Sequence, residues 1–136
     1  MAIPFPSDVW VKAMMADLNQ SETYAAAAKN WEGDFLFIVQ PAGSLDHSVG
    51  LYMDLQHGKC NSAYAVTDLD TVKPVFRLTG PVSAWKLVMT KKLDPMQAMM
   101  TGKLKLQGNM GIVMRNVRAA KELVESCTRI DTLFPD

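Results

Sequence analysis

Two residues that flank a predicted turn, His57 and Cys60, carry side chains with chemical reactivity. An imidazole and a thiol can act as base and nucleophile, or can bind a metal ion. His47, Asp46 and Asp54 are further candidate ligands only through their nearness in sequence, and their spacing matches no recognised zinc motif. A turn histidine and a half-buried structural cysteine are therefore favoured, and a small thiol or metal-dependent enzyme is the less favoured alternative.

Three glycines in the last third of the chain, Gly102, Gly108 and Gly111, do not form a phosphate-binding loop. They lack the dinucleotide fingerprint and also the lysine and hydroxyl of the Walker pattern. Their expected role is conformational. No cofactor is expected for this chain, and no catalytic residue is assigned.

A cluster of methionines suggests a different chemistry, the burial of an oily molecule. Thioether side chains are flexible and polarizable, so a surface built from them can repack around ligands of varied shape. The candidate lipid-binding residues are Trp85, Met89, Met99, Met100, Leu104, Leu106, Met110 and Met114. The same residues can instead fill an irregular core or form a groove that receives a partner helix, and Trp85 can be plain core or a cavity wall.

The segment from Asp94 to Met114 predicts a helix, a strand and a second helix. Asp94 is a good helix cap, Pro95 fits the first helical position, and Gly102 can end the helix. The run from Lys103 to Gln107 alternates polar and apolar residues, which is typical of a half-buried strand. Asn109 is then expected to cap a last helix that continues to about Ile130 and becomes polar in its second half.

This segment resembles the signature of the type-2 sterol carrier protein family. The resemblance rests on Asp94-Pro95 and on the run Met100-Thr-Gly-Lys-Leu-Lys-Leu-Gln-Gly-Asn-Met-Gly111, followed by Met114. It implies an α+β domain in which a five-stranded, mainly antiparallel sheet is covered by helices around an apolar tunnel or cavity. It also implies a sterol, fatty acid or fatty acyl-CoA as ligand, and no catalysis.

The rest of the chain predicts the other elements of such a domain. Helices are expected over about residues 8–18, where Ser7 is the cap, and over the alanine-rich residues 21–30. Strands are expected over residues 34–40, 48–57, 60–66 and 74–79, and a helix that carries Trp85 follows Gly80-Pro81. Successive hairpins predict a mainly antiparallel sheet.

Length and charge limit the function classes. With 136 residues, the chain fits a single lipid-binding domain over residues 1–136, and its net charge of zero gives no electrostatic argument for nucleic-acid binding. Between Lys86 and Lys121, however, eight basic residues stand against one acidic residue. This excess predicts either a solvated rim or a surface for transient contact with an anionic membrane or head group. The oligomeric state is left open.

Two cysteines form no disulfide framework, and no apolar run has the length of a transmembrane helix. The first residues lack the features of a signal peptide, and the chain ends in Leu133-Phe-Pro-Asp136 rather than in a peroxisomal targeting tripeptide. A cytoplasmic location is therefore the expectation.

Overall fold

The computed structural model describes residues 1–135. Two helices precede a run of four strands, and four further helices follow that run. The elements are β1 (Ile3–Pro4), α1 (Asp8–Gln20), α2 (Glu22–Ala27), β2 (Phe35–Gln40), β3 (Val49–Gln56), β4 (Lys59–Val66), β5 (Phe76–Pro81), α3 (Val82–Met89), α4 (Pro95–Met100), β6 (Lys105–Gln107), α5 (Met110–Met114), α6 (Val117–Thr128) and β7 (Thr132–Leu133).

Four helices begin where a side chain satisfies the free backbone amides of the first turn. Ser7 Oγ accepts from Trp10 N, and Ser21 Oγ accepts from Tyr24 N. Asp94 Oδ2 accepts from the amides of Met96 and Gln97, and Asn109 Oδ1 accepts from Ile112 N. The predicted caps Ser7, Asp94 and Asn109 are confirmed.

The main sheet has five strands in the order β4-β3-β2-β5-β6. Three neighbouring pairs are antiparallel, whereas β2 and β5 run parallel because the β3–β4 hairpin and a crossover separate them in the chain. The predicted α+β class with a five-stranded sheet is confirmed, and the sheet is mixed but mostly antiparallel.

The helices cover one face of this sheet. Phe37 lies between Leu51 of β3 and Leu78 of β5, and Phe35 lies between Met53 and Phe76, so these side chains share a face. Helix α1 packs on β3 and β4, and α6 contacts α1, α2, α3 and α4. The space between the sheet and these helices contains the core.

The single long helix predicted from Asn109 to Ile130 is wrong, because the chain breaks between α5 and α6. Asn116 has φ −118° and ψ 40°, outside the helical range, and its side-chain amide donates to Ile112 O at 2.7 Å. The break turns α6 back onto the other helices. From Ala120 onward α6 is packed against the core, because Ala120, Leu123, Val124 and Cys127 recur at helical spacing and face inward.

A small second sheet, which the sequence did not predict, joins the two ends of the described chain. Strands β1 and β7 pair in parallel, with Ile3 opposite Thr132. The indole Nε1 of Trp10 donates to Thr132 Oγ1 at 2.9 Å, and the ring of Phe134 meets the ring of Phe5 edge-on at 5.7 Å. These contacts hold the last residues against α1.

Membrane-spanning helices are not found among residues 1–135: none of the helices there is both long enough and apolar enough to cross a bilayer.

Candidate functional site

An apolar cavity of about 110 Å³ lies between the helix-covered face of the sheet and the helices. Its floor is made by alternate residues of three strands, which are Phe35, Phe37, Val39, Leu51, Met53 and Leu78. Alternation along each strand places them on one face, so strand geometry alone positions this wall.

The helices form the remaining walls. Helix α1 contributes Trp10, Val11 and Met14, and α6 contributes Ala120, Leu123, Val124 and Cys127. The side wall comes from α3, α4 and the residue before β6, and consists of Trp85, Val88, Met89, Pro95, Met99 and Leu104. Phe5 and Val113 complete the lining.

Both indoles in the lining turn their N–H groups away from the space. Trp85 Nε1 donates to Ile38 O and to Gly80 O, each at 3.1 Å, and Trp10 Nε1 donates to Thr132 Oγ1. Burial raises the pKa of the Cys127 thiol to about 12, so this group stays uncharged at neutral pH. The cavity therefore offers hydrocarbon and aromatic surface to a guest, and almost no hydrogen-bonding capacity.

Four of the eight candidate residues line this cavity: Trp85, Met89, Met99 and Leu104. Leu106 is half-buried opposite Leu78, and Met110 and Met114 of α5 are half-buried against the core, outside the lining. From α5 only Val113 reaches the cavity.

Met100 is a correction to the predicted lining, because its side chain is 63% exposed. Pro95 and Met99 of α4 point into the cavity. At 100° per residue, Met100 lies about 120° around the helix from the mean direction of these two. It is also the last residue of α4, where the chain turns towards Gly102, and it therefore faces outward.

Seventeen of the twenty-one lining residues were not predicted. They are the lining residues of β2, β3, α1 and α6, together with Phe5, Leu78, Val88, Pro95 and Val113. The sequence did indicate that one face of α1 is buried, because Val11, Met14 and Leu18 recur at helical spacing, and all three are buried in the structure. Sequence spacing does not reveal which buried faces meet.

A second cavity of about 40 Å³ lies beside the first. Four residues line both spaces and separate them: Phe35, Val113, Ala120 and Leu123. The other walls of the smaller cavity are Tyr24, Trp31, Leu55, Asn116 and Ala119.

The two residues with reactive side chains, His57 and Cys60, have structural contacts. Burial raises the pKa of the Cys60 thiol to about 12, and its Sγ donates to Ser62 O at 3.3 Å. A thiol held in this way forms little thiolate, which is the nucleophilic form. His57 Nδ1 lies 3.0 Å from Lys29 O, and His57 Nε2 lies 3.0 Å from Glu32 Oε1. Residues 1–135 contain no group of three or more His, Cys, Asp or Glu side chains that could hold a metal ion.

Some of the eight basic residues between Lys86 and Lys121 have intramolecular contacts. Lys91 pairs with Glu125 of α6, and Lys86 lies over the Phe134 ring at 5.4 Å from its centroid. Lys92 precedes α4, Lys103 follows it, and Lys105 lies in β6, and all three side chains are exposed. A six-residue helix is about 9 Å long, so Lys92 and Lys103 flank α4 at its two ends.

The family follows from comparison with known proteins. Residues 12–121 match the model of the SCP-2 sterol transfer family. The chain belongs to this family. The resemblance seen in the Asp94–Met114 segment is therefore confirmed, and it extends over most of the sequence.

Solved structures share the architecture. A crystal structure of sterol carrier protein 2 is 30% identical, with a TM-score of 0.82 over 91% of this chain and 97% of that one. A solution structure of a conserved hypothetical protein from Thermus thermophilus, described as possibly a sterol carrier protein, is 30% identical, with a TM-score of 0.83 over 92% of this chain and 88% of that one. Palmitated SCP2L2 from Aedes aegypti shares the fold at 15% identity, with a TM-score of 0.54 over 81% of this chain and 93% of that one. A search of curated proteins gives no significant match.

Proposed function

We propose that the protein binds the hydrocarbon part of a fatty acid, fatty acyl-CoA or sterol in the larger cavity and carries it without catalysing a reaction. The proposal rests on the lining of the larger cavity. Apolar side chains form its walls, and both indole N–H groups donate to protein oxygen atoms rather than to the cavity. A polar substrate would lose its hydrogen bonds with water there and gain none in return. A hydrocarbon chain loses nothing of this kind.

The free energy of burial is sufficient for such binding. Each methylene removed from water contributes about 0.8 kcal/mol, so a long acyl chain can supply on the order of 10 kcal/mol before the costs of association. Micromolar affinity requires about 8 kcal/mol. The tail can therefore supply most of the affinity, and we expect weak discrimination among lipids of similar size.

The volume of the cavity implies that ligand binding rearranges its walls. Small-molecule sites usually measure about 300 to 1,000 Å³, whereas this one measures about 110 Å³. Four methionines in the lining, Met14, Met53, Met89 and Met99, have three rotatable side-chain bonds each and can move without breaking hydrogen bonds. We propose that they swing aside when the tail enters.

We propose that the head group stays outside the cavity, because the walls have no hydrogen-bonding partner for it. The exposed Lys92, Lys103 and Lys105 near α4 supply positive charge close to the wall formed by Pro95, Met99 and Leu104. We propose that these lysines meet an anionic head group or, transiently, an anionic membrane, where each lysine held close contributes about 1 kcal/mol. We further propose a cytoplasmic location, which suits the free cysteines Cys60 and Cys127.

Filling the cavity tests the proposal directly. In Met99→Trp the larger side chain should occupy the space and weaken binding of a fluorescent fatty acid at least tenfold. The matched control is Met100→Trp, the same substitution at the neighbouring exposed position, which should bind like the unmodified protein. Circular dichroism would verify that both variants are folded. Equal binding by a folded Met99→Trp would contradict the assignment of this cavity.

Native mass spectrometry separates a carrier from a protein-interaction module. A carrier should retain copurifying lipid or take up added palmitate. A protein that accepts no amphiphile but captures an amphipathic peptide would overturn the carrier proposal.

A further inference from the structure

The two cavities lie end to end along α6. Ala119 lines only the smaller space, Ala120 and Leu123 line both, and Val124 and Cys127 line only the larger. From Ala119 to Cys127 the helix rises about 12 Å. Removal of the shared wall would therefore lengthen one continuous apolar channel, rather than open a separate pocket.

The smaller cavity also suits hydrocarbon. Trp31 Nε1 donates to Gly33 O at 2.9 Å, and the Asn116 amide donates to Ile112 O at 2.7 Å. Burial raises the pKa of Tyr24, so its hydroxyl stays neutral at physiological pH. At about 40 Å³ the space is too small for a head group, and it can accept only the end of an apolar tail.

Of the four shared residues, Leu123 is the one that can move. Phe35 is stacked with Phe37 at 4.9 Å and with Phe76 at 5.0 Å between ring centroids, and is therefore fixed in place. Val113 is β-branched and stiff, and Ala120 has no rotatable side chain. Leu123 is half-buried on α6 and has two side-chain torsions that can change.

We propose that Leu123 is a movable partition that sets the longest acyl tail the protein binds well. This inference rests on the proposed lipid binding and adds the residue that determines chain-length specificity. While Leu123 separates the two cavities, the affinity for a fatty acid rises with the length of its tail until the larger cavity is full. Further carbons then stay in water or must displace Leu123.

The experiment is a binding series with saturated fatty acids from octanoate to stearate, measured through intrinsic tryptophan fluorescence. In the unmodified protein the affinity should rise with each carbon and then level off. In Leu123→Ala the rise should continue for at least one more methylene, and each additional buried methylene should tighten binding about fourfold.

Two further variants keep the test specific. Val124→Ala enlarges only the larger cavity, so adding Ala119→Leu to Val124→Ala should leave its chain-length limit unchanged. Adding Ala119→Leu to Leu123→Ala fills the smaller cavity and should restore the original limit. If Leu123→Ala fails to fold, Leu123→Phe provides the opposite test, because a larger partition should shorten the preferred tail.

The outcomes distinguish the two proposals. If the unmodified protein binds no fatty acid, the carrier function fails. If it binds fatty acids but the length at which affinity levels off is the same in Leu123→Ala, or the same in Leu123→Phe, the partition inference is overturned while lipid binding stands. A shift in Leu123→Ala that Ala119→Leu does not reverse also overturns it.

Discussion

Trp85 shows how one side chain can be structural at one end and part of the site at the other. Its indole N–H bonds to the carbonyl groups of Ile38 and Gly80, which fixes the ring between β2 and β5. The same ring meets Phe37 edge-on at 5.9 Å and lines the larger cavity. The hydrogen bonds thus orient an aromatic wall without exposing a polar group to the ligand.

Trp85→Phe should separate these two roles. The variant keeps an aromatic ring but leaves two buried carbonyl groups without their donor, so we expect a loss of about 1–3 kcal/mol in the free energy of unfolding, measured with urea. Trp10→Phe is the matched control. It removes an indole that donates to the hydroxyl of Thr132. This hydroxyl can turn to another partner, so the loss in the free energy of unfolding should be smaller than for Trp85→Phe. A larger loss in Trp10→Phe would contradict this account.

At the scale of secondary-structure elements, the turn between β6 and α5 depends on a glycine in the family signature. Gly108 has φ +131°, and a Cβ atom there would lie 2.5 Å from Phe76 Cδ1. Gly102, at the end of α4, also has positive φ, at +77°, but a Cβ atom there would meet nothing within 4 Å. The two glycines thus differ both in packing and in how far their φ lies from the left-handed helical region.

Gly108→Ala should therefore destabilise the protein more than Gly102→Ala. Near the left-handed helical region a residue with a Cβ atom costs about 1–2 kcal/mol, which applies to Gly102. At Gly108 both the larger φ and the collision with Phe76 add to this cost. Urea denaturation of both variants measures the difference, and equal losses would contradict this account.

Helices α1 and α6 are tied by a polar cluster outside the cavity. Arg129 donates to both carboxylate oxygens of Asp17, and the buried Ser126 Oγ lies 2.5 Å from Asp17 Oδ2. The hydrogen bonds from Arg129 are the main reason that the pKa of Asp17 is lowered, and Ser126 acts in the same direction against the opposing effect of burial. This cluster holds the helix that carries Leu123 against the rest of the wall.

Asp17→Asn should reduce stability in a pH-dependent way. Because the folded-state pKa of Asp17 lies below its unfolded value, the carboxylate stabilises the fold above the unfolded pKa, near 3.9, and this contribution disappears as the pH falls through the lowered value. We expect a loss of about 1 kcal/mol at pH 7 and a shrinking difference below about pH 4. Denaturant titrations of both proteins across this range provide the test, and a constant difference would assign the effect to Ser126 packing instead.

Local patterns in the sequence predicted most helices and strands, but they did not predict which of these elements contact one another. The caps Ser7, Asp94 and Asn109 act within one helical turn, and the alternation of Val49, Leu51, Met53 and Leu55 belongs to one strand, so both were visible in short stretches of sequence. The break at Asn116 was not visible, because Asn is also tolerated within helices. The pairing of β1 with β7 involves two residues from each end of the chain, far too short for a periodic pattern.

The same limit applies to the candidate site. Trp85, Met89, Met99 and Leu104 line the larger cavity because the signature segment and the helix before it pack together, and their role in lipid binding stays a prediction. Phe35, Phe37 and Trp10 were missed as cavity residues because they come from distant parts of the chain and meet the others only in the folded structure. Met100 shows the opposite error, in which a correct residue type lies on the outer side of a short helix.

At the scale of the whole molecule, lipid binding should stabilise the fold. A ligand that binds only the folded state stabilises it by about 2.7 kcal/mol at a concentration of 100 times Kd. Palmitate should therefore raise the Tm by several degrees, as measured by calorimetry. Met99→Trp should show a much smaller increase, because its cavity is filled. An equal increase in both proteins would place the lipid on another surface.

The pairing of β1 with β7 has a consequence for the wall of the larger cavity. The two strands run parallel, with Ile3 opposite Thr132 and Pro4 opposite Leu133. Phe5 directly follows β1, and Trp10 Nε1 donates to Thr132 Oγ1, so β7 braces the two aromatic residues that α1 and the segment before it contribute to the lining. A segment more than a hundred residues away in sequence thus supports the first wall of the cavity.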